Sequence, residues 1–141
     1  MEHPHATKFR ALIDSIAEGD LATIYAATSE DFWAVNDIGA GPWREVHGRD
    51  AFFAFFGEFV EYLEGTFRQE LMDVVGYDDQ VVAVVHETGT RQGHVFDNRA
   101  IYLFGIADGR WTSMRSMDMD HDNINAFWAA VGMPVVEAVP S

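Results

Sequence analysis

Asp118 is the side chain whose chemistry most needs explaining. It ends a run that follows Asp108-Gly109, and Asp-Gly between two apolar-rich segments signals a two-residue hairpin turn, because both turn positions need φ > 0. The strand after the turn alternates, so one face carries Met114, Ser116 and Asp118. A carboxylate on the apolar face of a sheet costs free energy unless it is paired or used. Two further side chains suit acid–base work. His86 is of the residue type suited to acid–base work at neutral pH, and the Tyr102 hydroxyl is of a type that donates to a developing oxyanion. Each has a structural alternative. His86 also fits a core histidine satisfied by Tyr102 or a backbone carbonyl, and Asp118 fits a partner for Arg115 or a cap near the last helix.

The run Asp118-Met119-Asp120-His121-Asp122 invites a metal reading, since its alternating acids resemble the opening of a calcium loop. Position six of such a loop needs Gly and holds Asn123; position twelve needs Glu and holds Ala129. Acids at a strand end and a helix N-terminus are explained by the helix dipole, so no metal is expected. His3 and His5 are read as part of a frayed tail over residues 1–8. No Gly-rich phosphate cradle and no Ser–His–Asp signature occurs, and no cofactor is expected.

The elements that position these residues belong to one domain spanning residues 1–141. Nearly half of the side chains are apolar, enough for a core. The formal charge is −14, a surface that repels phosphate backbones and anionic lipid, so nucleic-acid and membrane partners are not expected; solubility is the plain reading of the acidity. The chain has no cysteine, no basic start followed by an apolar run, and no apolar stretch of bilayer length, which fits a cytoplasmic protein.

Phe9, Leu12, Ile13 and Ile16 recur at helical spacing before Gly19, and Asp20 is placed to cap a second helix carrying Leu21, Ile24 and Tyr25. Residues 32–35 read as a short strand and 37–42 as a loop. Gly48 opens the clearest helix, whose stripe is Phe52, Phe53, Phe56, Phe59, Val60 and Leu63, ending at Gly65. Its five phenylalanines between positions 52 and 59 read as a helix packed on a sheet rather than a ligand box. Strand-like runs at 66–75, 81–91 and 94–106 follow, with turns at Asp78-Asp79 and Gln92-Gly93, then the last strand and a helix around Phe127-Trp128. Strands and helices in this order predict an α+β domain.

This order resembles the SnoaL-like branch of the nuclear transport factor 2 superfamily, which holds polyketide cyclases, ketosteroid isomerases and limonene-type epoxide hydrolases. The matching pieces are Glu18-Gly19-Asp20-Leu21, Glu30-Asp31-Phe32-Trp33, Gly48-Arg49-Asp50-Ala51, Gly65-Thr66-Phe67, Asp108-Gly109-Arg110 and Phe127-Trp128. These are turns, caps and core, so the resemblance is specific for fold rather than activity. It implies a cone: a curved mixed or antiparallel sheet with three to four helices enclosing a pocket.

With the concave face taken from that resemblance, alternation puts Ala34 and Asn36, then Val82, Val84, His86 and Thr88, then Asn98, Ala100, Tyr102 and Phe104, then Met114, Ser116 and Asp118 inside. The expected catalytic set is Asp118, His86 and Tyr102; the expected ligand contacts are Asn36, Thr88, Asn98, Met114, Ser116 and Trp33. The opposite face, with Val81, Ala83, Val85, Ile101, Leu103 and Trp111, is apolar and predicts a homodimer. Arg91, Asp97 and Arg99 are read as surface or dimer contacts.

Departures from the enzymes of the superfamily narrow the chemistry. The resemblance aligns the Asp–Arg–Asp set of the epoxide hydrolases with Ser116, His86 and Thr88, which disfavours that reaction. The isomerase base would fall in Val35-Asn36-Asp37-Ile38, where Asp37 is the one acid. Polyketide cyclases use an acid on the last strand, which Asp118 matches. The expectation is a binder of a small apolar or aromatic molecule, working as a cofactor-independent cyclase or isomerase on a cyclic or polyketide-like ketone. The alternative is a non-catalytic binding module of the same fold; a pure interaction domain would need a filled cone.

Overall fold

A computed structural model describes residues 1–38 and 43–132 of the chain. Helix α1 (Pro4–Glu18) opens on a proline, whose missing N–H costs nothing there, and ends at Gly19 in the left-handed region (φ 75°). It starts inside the stretch expected to be tail. The apolar face extends back to Ala6, which is buried with Phe9, Leu12 and Ile13. A Cβ at Gly76 would lie 2.8 Å from the Ala6 backbone nitrogen, so the glycine is what lets α1 lie against the sheet. The His5 ring also meets the Tyr77 carbonyl at 2.8 Å. Asp20 caps α2 (Leu21–Ala26) through the Thr23 backbone N–H, as expected.

Strand β1 (Thr28–Ile38) is longer than the sequence suggested and takes in Asp37 and Ile38; residues 39–42 of the expected loop lie outside the described residues. A short β2 (Glu45–His47), not anticipated, pairs with it. Helix α3 (Arg49–Tyr62) starts after Gly48. Then come β3 (Arg68–Gly76), β4 (Gln80–Arg91), β5 (His94–Ala107), β6 (Arg110–Asp118) and α4 (His121–Val131). The six strands form one sheet in the order β2-β1-β6-β5-β4-β3. β1 runs parallel to β6 and all other pairs are antiparallel. Both hairpin turns carry two positive φ values: 51° and 80° at Gln92-Gly93, 52° and 73° at Asp108-Gly109.

One face of the sheet meets the helices. Around α1 a core forms from Phe9, Phe32, Val81, Ala83, Val85 and Trp111; at the other end Leu63, Phe67, Phe96, Ile124, Phe127 and Trp128 form a second. A cavity lies among them.

Strand β4 faces the opposite way from the expectation. Val81, Ala83, Val85 and Glu87 point to the helices and are buried, while Val82, Val84, His86 and Thr88 stand on the outer face. Valines occupy both faces, so alternation gave a period without a phase. Trp111 is also inward, edge-on to Phe104 at 5.3 Å, rather than on the dimer face. The cause is a bulge. Pairing passes from Ile106↔Trp111 to Gly105↔Ser113, so Thr112 is the extra residue and resets the facing of β6. Gly105 makes room for it, since a Cβ there would lie 2.5 Å from the Ser113 hydroxyl. Ile101 and Leu103 remain outside as expected, joined by Val82, Val84 and Met117.

Candidate active site

The floor of the cavity is the concave sheet, and the polar groups on it follow from strand register. Gln69 of β3, Glu87 of β4 and Asn98 of β5 are direct neighbours across three strands. Tyr102 of β5, Ser116 of β6 and Asn36 of β1 form a second such row. Asp118 stands opposite Ala100 at the end of β6, where the side chain of Asn98 reaches it. Apart from Thr28 the remaining lining is apolar, including Phe104, Trp111 and Met114 of the sheet, Phe9 of α1, Phe52, Phe53, Phe55, Phe56 and Phe59 of α3, and Ile124 and Trp128 of α4. The cavity between these walls has a volume of about 130 Å³.

The α3 phenylalanines therefore do more than pack a helix on a sheet. All five line the cavity, and α3 has no fully buried residue. Their rings contact one another and Phe67 edge-on, for example Phe59 with Phe67 at 5.2 Å.

Glu87 is the centre of the polar floor. Its side chain is 6% exposed. The Tyr102 hydroxyl donates a short hydrogen bond to Glu87 Oε2, and Gln69 Nε2 donates to the same oxygen at 3.0 Å. Burial raises its carboxyl from an ordinary 4.5 to about 7; the bonds from Tyr102 and Gln69 pull the other way, and the charge of Asp118 adds to the rise. Tyr102 is pushed well above its ordinary value by burial first, then by the Glu87 charge. Asp118 Oδ1 accepts from Asn98 Nδ2 at 2.8 Å, and Asn98 Oδ1 accepts from the Asp120 backbone N–H at 3.4 Å. Asn98 is wholly buried and works as a brace between strand and helix.

Of the expected site residues, Asp118, Tyr102, Asn36, Met114 and Ser116 line the cavity, and Asn98 lies directly behind Asp118. Arg115 pairs with Asp37 at 3.0 Å, and the α4 N-cap residue, Asp120, makes no side-chain cap bond. His86, Thr88 and Trp33 are not in the lining. His86 Nε2 meets Asp97 Oδ1 at 2.6 Å on the outer face, and Trp33 lies under the Arg115 guanidinium. Arg99 pairs with Asp120 at 2.7 Å, and Arg91 donates to the Tyr62 carbonyl at 3.0 Å. With Asp118 inward and Asp120 held by Arg99, the acids of the last strand diverge; no group of His, Asp or Glu is placed to hold a metal among the described residues.

Glu87 and Gln69 are the polar cavity residues that alternation missed. The signal that finds Glu87 is the turn. A two-residue loop at Gln92-Gly93 pairs Arg91 with His94, which sets Glu87 opposite Asn98 and Ala83 opposite Tyr102. Directly opposed residues share a face, so placing Asn98 and Tyr102 inside requires Glu87 inside.

Known proteins agree with this architecture. The family model described as a SnoaL-like domain matches residues 9–114. An uncharacterized protein of Mycobacterium tuberculosis is 32% identical over 124 residues, covering 85% of this chain and 92% of its own. The solved structure of Bal32a, from a soil-derived mobile gene cassette, superposes with a TM-score of 0.80 at 26% identity, over 87% of this chain and 95% of that one. TerC, co-crystallized with polyporic acid, has a TM-score of 0.70 at 17% identity over 87% and 99% of the two chains, a likeness of fold. With three quarters of its length matched by the family model, a curved sheet under four helices and a cavity between them, this chain belongs to the SnoaL-like domain family.

Proposed function

We propose that this protein takes a small apolar molecule into the cavity and acts on it as a cofactor-independent acid–base catalyst, an isomerase or cyclase that moves a proton on a cyclic or polyketide-like ketone. The observation that carries the reading is Glu87: a carboxyl held near neutrality inside an aromatic cavity, with Tyr102 bonded to it. A group with a pKa near ambient pH both takes and returns a proton effectively. Glu87, rather than His86, is then the proton carrier. Tyr102 is the hydroxyl that meets the substrate oxygen, and Asp118 is the second acid, oriented by Asn98. Asn36, Met114 and Ser116 shape the ligand's bed.

Epoxide hydrolysis by an Asp–Arg–Asp set stays disfavoured, on changed grounds. Two carboxylates, Glu87 and Asp118, are in the cavity, but no arginine lines it among the described residues. The chemistry needs neither metal nor nucleotide. The protein works in the cytoplasm as a homodimer through the outer sheet face, where Val82, Val84, Ile101, Leu103 and Met117 form an apolar surface. No helix of the described residues is long and apolar enough to cross a membrane. Light scattering at micromolar concentration reads the dimer, and a clean monomer sinks it.

The test of the chemistry needs no knowledge of the natural substrate. Exchange of the α-hydrogens of 2-tetralone for deuterium is followed by NMR, with and without protein. Exchange above the buffer rate that disappears in Glu87→Gln supports the proposal. Binding of 2-tetralone without exchange replaces it by the non-catalytic binding module.

A further inference from the structure

The cavity has an unusual charge balance. Glu87 and Asp118 line it, and no Lys, Arg or His does among the described residues. The two segments outside the described residues, 39–42 and 133–141, contain no Lys, Arg or His either. Five of the nine Lys and Arg side chains bond outside the cavity: Arg10 to Glu2, Arg99 to Asp120, Arg115 to Asp37, Arg91 to the Tyr62 carbonyl and Arg49 to the Thr28 carbonyl.

Hydrogen-bond capacity is equally one-sided. Tyr102 and Gln69 donate to Glu87, Asn98 donates to Asp118, and the Ser116 hydroxyl donates to Asn36 Oδ1 at 3.4 Å. The Gln69 carbonyl oxygen is buried and has no partner. With Glu87 ionised, the amide nitrogen is the end that bonds its carboxylate, which leaves the oxygen as the open acceptor. A buried acceptor without a donor costs about 1–3 kcal/mol, which a ligand that supplies the donor recovers.

We infer that the cavity is built for a ligand whose polar end is a protonated amine on an apolar, ring-bearing body. An ammonium group brings three N–H donors and no acceptor, the complement of a floor made of two carboxylates and an open amide oxygen. The phenylalanine and tryptophan faces around it attract cations as well as apolar surface. A carboxylate ligand would meet the carboxyls of Glu87 and Asp118, with no Lys, Arg or His in the lining among the described residues. The field of a protein at −14 draws cations in and turns anions away. The inference rests on reading the cavity as a small-molecule site, and it adds an ammonium group to the ketone-bearing ligand of that reading.

The experiment is calorimetric titration with three probes of matched shape: 4-phenylbutylamine, 4-phenylbutan-1-ol and 4-phenylbutyrate. At pH 8 the amine binds at least about tenfold tighter than the alcohol, and the carboxylate binds weakest. Glu87→Gln and Asp118→Asn each weaken the amine by about tenfold and leave the alcohol within about threefold, with thermal melts confirming that both variants fold. In the unmodified protein, amine affinity rises up to about tenfold from pH 6 to pH 8 as Glu87 ionises, and alcohol affinity does not. The ionisable groups acting on Glu87 are Tyr102 and Asp118; the helices present none to the cavity. Alcohol binding equal to amine binding, or preference for the carboxylate, overturns the inference and leaves the apolar cavity reading intact. If no probe binds yet 2-tetralone exchanges, the amine class alone is wrong. If no probe binds and no exchange occurs, both readings fall.

Discussion

His86 and Glu87 are consecutive residues of one strand with opposite fates. His86 points to the outer face, where its ring is one-third exposed and bonded to a half-exposed Asp97. Glu87 points under the helices, where almost no water reaches it and its carboxyl rises to about 7. Residue type alone would assign the neutral-pH chemistry to the histidine. Burial assigns it to the carboxylate, because desolvation penalises the charged form by more than the bonds from Tyr102 and Gln69 recover. The two faces of a sheet are two solvents, and a single residue step decides which one a side chain occupies.

The sharpest way to break that comparison is to remove each group in turn. Glu87→Gln keeps the shape and deletes the proposed proton carrier, so on that proposal proton exchange on 2-tetralone falls by about 10²–10⁴-fold. His86→Gln leaves exchange within about twofold, since the ring is outside the cavity. Equal losses in the two variants would mean that the faces do not differ functionally.

A second contrast separates core from cavity wall. Phe127 is buried against Phe96 and Trp128 and does not line the cavity, so Phe127→Ala costs about 3–5 kcal/mol in denaturant unfolding. Phe55 on the wall is only half-buried and borders open space, so Phe55→Ala costs roughly 1 kcal/mol and weakens ligand binding instead. Equal costs would show the wall to be core.

The third concerns pH. A carboxyl raised in the folded state binds more protons there than in the unfolded chain between 4.5 and about 7, so stability falls as pH rises through that window. The loss is on the order of 3 kcal/mol, fully present above pH 7. Glu87→Gln removes this slope and is more stable than the unmodified protein at pH 8. Melting temperatures at pH 5 and pH 8 read it, and parallel pH profiles for the two proteins would contradict the burial argument. The smallest effect belongs to the outer pair: Asp97→Asn changes stability by less than about 1 kcal/mol, as for other solvent-exposed ion pairs.

Much of the fold was legible in the chain. Asp108-Gly109 and Gln92-Gly93 mark two hairpins, Gly19 and Asp20 mark a helix end and a helix start, and the apolar stripe after Gly48 marks α3. Each is a local signal, because φ > 0, a capping oxygen and a 3.6-residue period are properties of a few neighbouring residues. The inward facing of Asn36, Tyr102, Ser116 and Asp118 was read correctly too, with alternation supplying the period and the family resemblance the face.

The facing of β4 and of Trp111 was not read correctly, for two different reasons. On β4 the information was present in the turn length, which ties Glu87 to Asn98 through register, while valines on both faces hid it from composition. Trp111 depended on the bulge at Thr112, which is set by packing against Gly105 on the next strand. The cavity itself is of the second kind. A sequence shows five phenylalanines on one helix, and only the distance at which α1, α3 and α4 stand off the sheet decides whether those rings fill a core or face a ligand. Local conformation is chosen by neighbours in the chain, whereas phase, bulges and empty space are chosen by atoms brought together from distant segments.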